Sequence, residues 1–370
     1  MTSKIDKVPI NDLSRGIARD QAQLELAFSR VLATGYVVMG PEHAAFETEL
    51  AEYLGSGWAL GVASGTDALE LAIKAVMPSE KNSVLTAANA GGYTSTAARR
   101  AGYRLLFADV DPDSLCVGLP QIESALTDDV GVVVITHLYG NFTDITGIVA
   151  YCHARGIKVI EDCAQAIGAR RPEGAAGTIG DAGTISFYPT KNLGAIGDGG
   201  AVVTSDEAVA GKIKQLRQYG WKSKYDISEA GGVNSRLDEV QAAFLRVRLP
   251  FLDEFNERRR SIIAKYAEAA SGGPLTILPA MGEHHVGHLA VCLVEDRSAV
   301  QSHFAAVGVQ TDVHFPIPDY RQKGLGVADM SLENTDYAVG HVLSLPCFPE
   351  LSDDEVEYVC SAIRGLRESL

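Results

Sequence analysis

Residues 186–204 read SFYPTKNLGAIGDGGAVVT and place one lysine, Lys191, between two apolar stretches. Phe187, Tyr188 and Pro189 precede it, and four glycines follow soon after. Lysine is among the residues least often buried, because taking its ammonium out of water is costly. Burial lowers a lysine pKa, and the neutral amine is a nucleophile towards carbonyl groups. Taken alone, Lys191 is better explained as a lysine at a strand end whose ammonium reaches water.

The chain around this stretch, from about Trp58 to Thr204, alternates β-rich runs with helical patterns. The runs that predict strands are WALGVAS, SVLTAA, RLLFADV, GVVVITHL, IKVIEDC, GTISFY and GGAVVTS. Helical stretches such as TDALELAIKAVM, YTSTAARRAG and DITGIVAYCHARG separate several of them. Apolar strands separated by helices predict a mainly parallel sheet covered on both faces. Ligands of such sheets bind in the loops after the carboxyl ends of the strands.

The second part of the chain has a different texture. From Ser235 a long helical region runs on, interrupted at Pro250. Beyond Ser271 the sequence predicts a strand in HVGHLAVCLVEDR, a helix in SAVQSHFAAVG, a further strand in VQTDVHF and a last helix in SDDEVEYVCSAIRGLRESL. We therefore expect an α/β protein with a large domain over residues 1–250 and a smaller C-terminal α/β domain over residues 251–370.

Composition and charge exclude several classes of protein. Hydrophobic residues make up 46% and charged residues 21%, as in soluble globular proteins. The 32 basic and 47 acidic residues give a net charge of -15, which argues against nucleic acid or an anionic membrane as the main partner. The N-terminus is polar, so we expect no signal peptide, and no stretch is apolar enough to predict a membrane span. The six cysteines and nine histidines show no metal-binding spacing, so we expect reduced thiols in a cytoplasmic protein and no metal site.

Two more stretches place polar residues where such a sheet binds ligands. In ASGTDALELAIKAV, Ser64, Gly65 and Thr66 open a helix directly after a strand, and free N–H groups at a helix start suit a phosphate. Alone, this pattern is better explained as a helix cap. In KVIEDCAQAIGA, Asp162 ends an apolar strand, where an unpaired carboxylate is costly. A helix cap or an arginine partner explains Asp162 equally well.

The order of these features along the chain is more informative than any one of them. A phosphate seat, a strand-end aspartate and a lysine in a glycine-bounded loop are what pyridoxal 5′-phosphate requires. The aspartate would keep the pyridine nitrogen protonated, and the lysine would carry the aldehyde. A purely structural explanation would require three separate ones to hold at once: a helix cap at residues 64–66, a cap or an arginine partner for Asp162, and an ammonium of Lys191 that reaches water.

The chain resembles the DegT/DnrJ/EryC1/StrS family of nucleotide-sugar aminotransferases, pyridoxal-phosphate enzymes of the aspartate aminotransferase fold (fold type I). The likeness runs almost end to end. It includes VASGTDALELAI, EDCAQAIGA, SFYPTKNLGAIGDGGAVVTSD, GVNSRLDEVQAAFLRVRL and VHFPIPDYRQ. The resemblance implies a mainly parallel central sheet in the large domain, a smaller C-terminal domain, and a homodimer with shared active sites.

The resemblance also implies a role for each matching residue. Lys191 would form the Schiff base with the cofactor and then move the proton, and Asp162 would pair with the pyridine nitrogen. The other expected cofactor contacts are Gly65, Thr66 and Ser186 at the phosphate, Gln165 near the phenolic oxygen, and Asn234 at the phosphate of the neighbouring subunit. The expected positions near the sugar-nucleotide channel are Tyr225, His314 and Tyr320.

In some places the sequence departs from the family pattern. The family usually stacks an aromatic residue on the cofactor ring, but ANAGGYTSTAARRAG has glycines at that register and Tyr93 two places later. Tyr93 is therefore the candidate for stacking. Gly287 and Ala290 stand where tyrosines are common, and Phe315 also replaces a commoner tyrosine. These differences bear on the choice of substrate.

The reaction that the resemblance implies is a transamination in two stages. Glutamate would convert the cofactor to pyridoxamine phosphate, which would then aminate a keto-sugar nucleotide. The GDGG after Lys191 is typical of members that aminate C3 of 3-oxo sugars, so we expect a dTDP-3-oxo-6-deoxyhexose in deoxyamino-sugar biosynthesis. The alternatives are C4 amination of a 4-oxo-6-deoxyhexose nucleotide and a non-catalytic sensor that binds pyridoxal phosphate. A sugar dehydratase is disfavoured, because those relatives have histidine in place of the lysine.

Overall fold

The structure is a computed structural model and describes residues 5–328 and 330–369. The α-helices are α1 Leu13–Thr34, α2 Pro41–Leu54, α3 Gly65–Val76, α4 Tyr93–Arg100, α5 Leu119–Ala125, α6 Thr146–His153, α7 Glu207–Leu216, α8 Glu239–Arg248, α9 Leu252–Ala270, α10 Arg297–Ala306, α11 Glu333–His341 and α12 Asp353–Ser369. The strands are β1 Trp58–Val62, β2 Ser83–Ala87, β3 Arg104–Ala108, β4 Val130–Thr136, β5 Lys158–Asp162, β6 Arg170–Arg171, β7 Gly174–Ala175, β8 Ala182–Ser186, β9 Gly200–Thr204, β10 Trp221–Ser223, β11 Asp226–Ile227, β12 Leu275–Ile277, β13 Ala290–Val294 and β14 Val342–Leu345.

A seven-stranded sheet in the order β1-β9-β8-β5-β4-β2-β3 forms the centre of the protein. The pairs from β8 through β5, β4 and β2 to β3 are parallel, and β9 runs antiparallel to both β8 and β1. The predicted mainly parallel sheet is therefore confirmed. Strands β2, β4 and β8 are buried along their whole length, as expected for a sheet that helices cover on both faces.

A second core lies around the three-stranded antiparallel sheet β12-β13-β14. Helices α9, α10 and α12 supply much of its apolar packing, with Tyr266, Phe304 and Phe348 fully buried. The helical region before it breaks at Pro250 as the sequence predicts: α8 ends at Arg248 and a 3₁₀ turn precedes α9. The predicted division of the chain between residues 250 and 251 stays a prediction.

The strand predicted in VQTDVHF is wrong. In this segment only Val309 and Asp312 make isolated bridges, to Val8 and Ser344. Phe315 then adopts a left-handed backbone conformation, φ 60°, which turns the segment away from β14 and prevents further pairing. Val309 is nevertheless buried in the second core.

Features of the fold bear on two other expectations. All six cysteines are buried, and none is joined to another in a disulfide. Among the described residues, no helix combines the length and apolar character that crossing a membrane requires.

Candidate active site

A cavity of about 560 Å³ opens at the carboxyl edge of the central sheet, beside the loops that follow β1, β5 and β8. It brings together many of the residues predicted from sequence. Those that line it are Gly65, Thr66, Tyr93, Asp162, Gln165, Ser186, Lys191 and His314. Parallel strands end at one edge of a sheet, which is why segments far apart in the sequence meet here.

Lys191 lies in a tight loop between β8 and β9. Its backbone N–H donates to the carbonyl of Tyr188 at 2.8 Å, and Ala195 donates to the carbonyl of Phe187 at 2.8 Å. Gly194 is required, since a Cβ there would lie 2.4 Å from the carbonyl oxygen of Pro189. Burial lowers the pKa of the Lys191 ammonium to about 8, with Asp162 opposing the shift. About a tenth of the amine is therefore neutral at pH 7, far more than for a lysine in water.

Asp162 ends β5 and is 4% exposed. Its Oδ1 accepts from the N–H of Ala164 at 3.1 Å, and its Oδ2 accepts from the hydroxyl of Thr136 at 3.4 Å. Burial raises the pKa of the Asp162 carboxyl, and no lysine or arginine of the described residues forms an ion pair with it. A buried carboxylate supported only by neutral donors is suited to a cationic partner that enters the cavity.

The start of α3 lines the same cavity as Lys191. The hydroxyl of Ser64 caps the helix by accepting from the N–H of Asp67 at 3.1 Å. Gly65 has no room for a side chain, because a Cβ would lie 2.7 Å from the Cβ of Ser186. The unpaired N–H groups of the first turn carry a partial positive charge, which favours an anion beside Gly65 and Thr66.

Gln165 is fixed by one hydrogen bond. Its Oε1 accepts from the N–H of Tyr139 at 2.6 Å, and Tyr139 holds a left-handed conformation, φ 61°. With Oε1 occupied, the Nε2 donor is the end of the side chain available to the cavity. Such a donor suits a phenolic oxygen.

Sequence reasoning missed the support behind Asp162. Glu161 is fully buried and accepts from the N–H groups of Gly177, Ile179 and Gly180 at 2.9, 2.7 and 2.8 Å. Nε2 of His137 lies 2.9 Å from its Oε2, and these hydrogen bonds, with the charge of His137, hold the pKa of Glu161 low against burial. Both carboxylate oxygens of Glu161 thus already accept hydrogen bonds. His137, Glu161 and Cys163 lie close together, but this group offers no free carboxylate for a metal.

Three predicted residues do not line this cavity. Asn234 is exposed and pairs with Gln218 through the backbone, and Tyr225 is 78% exposed at the turn between β10 and β11. Tyr320 lies in the core: its ring packs on Phe107, and its hydroxyl donates to Asp336 at 2.7 Å. The side chain points to the α3 and α4 side of the sheet, away from the cavity.

Comparison with known proteins identifies the family of this chain. The model of the DegT/DnrJ/EryC1/StrS aminotransferase family matches residues 19–364. The chain belongs to this family. A dTDP-3-amino-3,6-dideoxy-alpha-D-galactopyranose transaminase from Aneurinibacillus thermoaerophilus is 38% identical over 96% of this chain and 98% of its own. The erythromycin biosynthesis sensory transduction protein EryC1 of Saccharopolyspora erythraea is 37% identical over 97% of this chain and 99% of its own.

Solved structures agree with the family assignment. S. venezuelae DesV, in complex with a ketimine intermediate, superposes with a TM-score of 0.94 at 33% identity, over 99% of this chain and all of its own. NtdA of Bacillus subtilis, with bound pyridoxamine phosphate, has a TM-score of 0.93 at 30% identity, over 99% of this chain and 86% of its own. The fold is therefore that of the pyridoxal-phosphate aminotransferases, and the chain is a sugar aminotransferase that uses this cofactor.

The cavity fits pyridoxal phosphate. It offers an amine of lowered pKa at Lys191, a buried carboxylate without a cation at Asp162, and a helix start free of side chains at Gly65. These three groups match the aldehyde, the pyridine nitrogen and the phosphate of the cofactor. The roles of individual residues stay predictions.

Proposed function

We propose that this DegT/DnrJ/EryC1/StrS protein transfers an amino group from glutamate to C3 of a dTDP-3-oxo-6-deoxyhexose. The observation that supports the catalytic part is the position of Lys191 and Asp162 in one cavity beside the start of α3. The activity for which the Aneurinibacillus relative is named, that of a dTDP-3-amino-sugar transaminase, supports the sugar and the carbon atom. The GDGG sequence after Lys191 supports the same choice.

Each of these side chains has a defined part in this proposal. When bound, the cofactor supplies an aldehyde that takes up the amino group and a ring that accepts an electron pair. Asp162 would hold a proton on the pyridine nitrogen, because a buried carboxylate that lacks a lysine or arginine ion-pair partner is stabilised by a cation placed beside it. Nζ of Lys191 would take the proton from Cα of the amino donor and deliver it to C4′, the aldehyde carbon of the cofactor, because a pKa of about 8 lets it act as base and acid near neutral pH.

We also propose that the active protein is a homodimer in which each subunit completes the other's cavity. Helix α1 and the segment after it carry exposed apolar side chains, which soluble monomers seldom cluster. These are Leu26, Phe28, Leu32, Tyr36 and Val37. A second copy covering this surface would bury them. Asn234 and Tyr225, which lie outside the cavity of their own chain, would then reach the cavity of the partner.

The sensor remains a second candidate, because a 37% identical relative is called a sensory transduction protein. A sensor has no use for a nucleophilic lysine, whereas a transaminase requires one. C4 amination is the alternative within transaminases.

One experiment separates these functions. The protein, loaded with pyridoxal phosphate, is offered a panel of 3-amino and 4-amino nucleotide sugars in place of the amino donor. A 3-amino dTDP-sugar is expected to convert the cofactor to its pyridoxamine form and bleach its visible absorbance. Bleaching by 4-amino sugars alone would favour C4 chemistry, and no bleaching by any sugar or by glutamate would favour the sensor.

A further inference from the structure

His288, which the proposed mechanism does not use, lines the same cavity as Lys191. It lies just before β13 and is 6% exposed. Its Nδ1 lies 2.8 Å from Oδ1 of Asn192, and its backbone carbonyl accepts from Nη1 of Arg259 at 3.2 Å. Both the ring and the backbone of His288 are therefore held in place.

The hydrogen bonds behind the ring identify which nitrogen carries its proton. Nδ2 of Asn192 lies 3.1 Å from the carbonyl oxygen of Val286 and 2.7 Å from Oδ1 of Asn256. A carbonyl oxygen only accepts, so the Asn192 atom facing it must be the amide nitrogen. Nδ2 of Asn256 donates to the carbonyl of Ile167 at 3.1 Å, which fixes the second amide in the same way. Oδ1 of Asn192 is thus an acceptor, and Nδ1 of His288 must be protonated.

The other ring nitrogen of His288, Nε2, keeps a lone pair that no described residue uses. Burial, with the charges of Lys191, Arg259 and His314, lowers the pKa of His288 well below its ordinary value, so the ring is neutral. A neutral ring with a bare Nε2 accepts hydrogen bonds and donates none there. It matches a hydroxyl group and opposes a carboxylate or a keto oxygen, which are themselves acceptors.

We propose that Nε2 of His288 accepts a hydrogen bond from a ring hydroxyl of the acceptor sugar and so selects for a hydroxylated substrate. The inference rests on the proposed function. Of the two proposed substrates, glutamate presents carboxylates, which cannot donate to Nε2, and one amino group, which is the group that reacts with the cofactor; a hexose carries several free hydroxyl groups. His288 is then a contact of the sugar half of the reaction.

Two substitutions separate this role from a structural one. His288→Asn places an amide near the position of Nδ1, so it keeps the hydrogen bond to Asn192 and removes the acceptor at Nε2. His288→Gln reaches the position of Nε2 and keeps an acceptor there. His153→Asn, at an exposed histidine, serves as the control.

The measurement is equilibrium binding of dTDP-glucose and of dTDP to the cofactor-loaded protein by titration calorimetry. His288→Asn is expected to bind dTDP-glucose about three- to tenfold more weakly, the worth of one neutral hydrogen bond, with dTDP affinity unchanged. His288→Gln is expected to recover much of the loss.

Other outcomes would overturn the inference. These are unchanged dTDP-glucose affinity in His288→Asn, an equal loss for dTDP and dTDP-glucose, or a larger loss in His288→Gln than in His288→Asn. Equal affinity of the unaltered protein for dTDP and dTDP-glucose would also overturn it. The proposed transamination is tested separately: it is wrong if glutamate does not change the cofactor absorbance of the unaltered protein. The comparison of dTDP-glucose binding between the variants remains valid in that case.

Discussion

Burying Lys191 beside Asp162 costs folding free energy, and the lowered pKa of the lysine measures that cost. A pKa of about 8, against 10.5 for a free lysine, corresponds to about 3 kcal/mol at pH values where the ammonium is fully charged. A residue with only a structural role would avoid this cost by reaching water. The position of the lysine in the cavity is therefore best explained by its chemistry.

The first prediction concerns this residue. Lys191→Ala is expected to lower turnover with glutamate by at least about 10²–10⁴-fold, because the proton carrier and the covalent anchor are both lost. The fold should be retained, as judged by circular dichroism and thermal unfolding. Lys214→Ala, at an exposed lysine on α7, is the matched control. Steady turnover in Lys191→Ala would contradict the assignment.

A second residue, Asp319, gives a prediction about pH. It is 1% exposed, its Oδ1 has no hydrogen-bond partner in the described structure, and burial raises the pKa of its carboxyl to about 6. The folded protein therefore binds a proton that the unfolded chain releases between pH 3.8 and 6, and Asp319 lowers stability above this range. Asp319→Asn should stabilise the protein by about 1–3 kcal/mol at pH 7, and the gain should vanish as the pH falls below about 4.

The measurement for Asp319 is urea unfolding of the cofactor-free protein across this pH range. A gain that does not depend on pH would contradict the explanation, because it would have to come from packing. The hydroxyl of Ser95, which now donates to Oδ2 of Asp319, can hydrogen-bond an amide as well.

At the scale of elements, two loops form one wall of the cavity mouth. Gly91 adopts φ +79°, and a Cβ there would lie 2.4 Å from the ring of Phe315. Phe315 also meets Tyr93 edge to face, with ring centroids 6.1 Å apart. The glycine in the loop before α4 thus leaves the space that the ring of Phe315 occupies.

Gly91→Ala is expected to destabilise the protein by about 2–4 kcal/mol, through backbone strain and the contact with Phe315. In a Phe315→Ala background the same change should cost about 1–2 kcal/mol less, because the contact with Phe315 is removed while the strain and a 3.0 Å approach to Cε2 of Tyr93 remain. Gly102→Ala is the matched control, since Gly102 adopts φ +90° with nothing within 4 Å. Chemical denaturation of the four proteins of this cycle measures the coupling, and additive costs would contradict the packing explanation.

Sequence patterns predicted the elements well where burial alone decides the structure. The seven runs predicted from Trp58 to Thr204 all form strands of the central sheet, because strands buried on both faces are apolar throughout. The predicted strand at 309–315 failed, because the left-handed conformation of Phe315 is set by its packing at the cavity mouth. His288 and Asn192 were missed because they are 96 residues apart, and only the fold brings them together.

For the molecule as a whole, the central question is whether a second copy covers α1. Phe28→Glu together with Leu32→Glu is expected to raise the dissociation constant of the dimer at least tenfold, or roughly 1.4 kcal/mol, because two charges would be buried in an apolar contact. Analytical ultracentrifugation measures this constant. Ser124→Glu, at an exposed position on α5, controls for added charge. A protein that is already monomeric without these changes would contradict the proposed dimer.

The proposed dimer also predicts an active site shared between the two subunits. Asn234→Ala should weaken retention of pyridoxal phosphate if the exposed amide reaches the partner's cavity, as judged by equilibrium dialysis. Asn82→Ala, on the loop before β2, is a matched control of the same chemistry. Equal cofactor affinity in Asn234→Ala and the unaltered protein would remove the contribution of the partner.

The proposed function depends on a covalent bond between Nζ of Lys191 and the aldehyde of pyridoxal phosphate. The most direct measurement is borohydride reduction of the protein incubated with pyridoxal phosphate, followed by mass spectrometry of its peptides. The account predicts one stoichiometric pyridoxyl adduct, on the peptide that contains Lys191. No adduct, or an adduct only on other lysines, would contradict it.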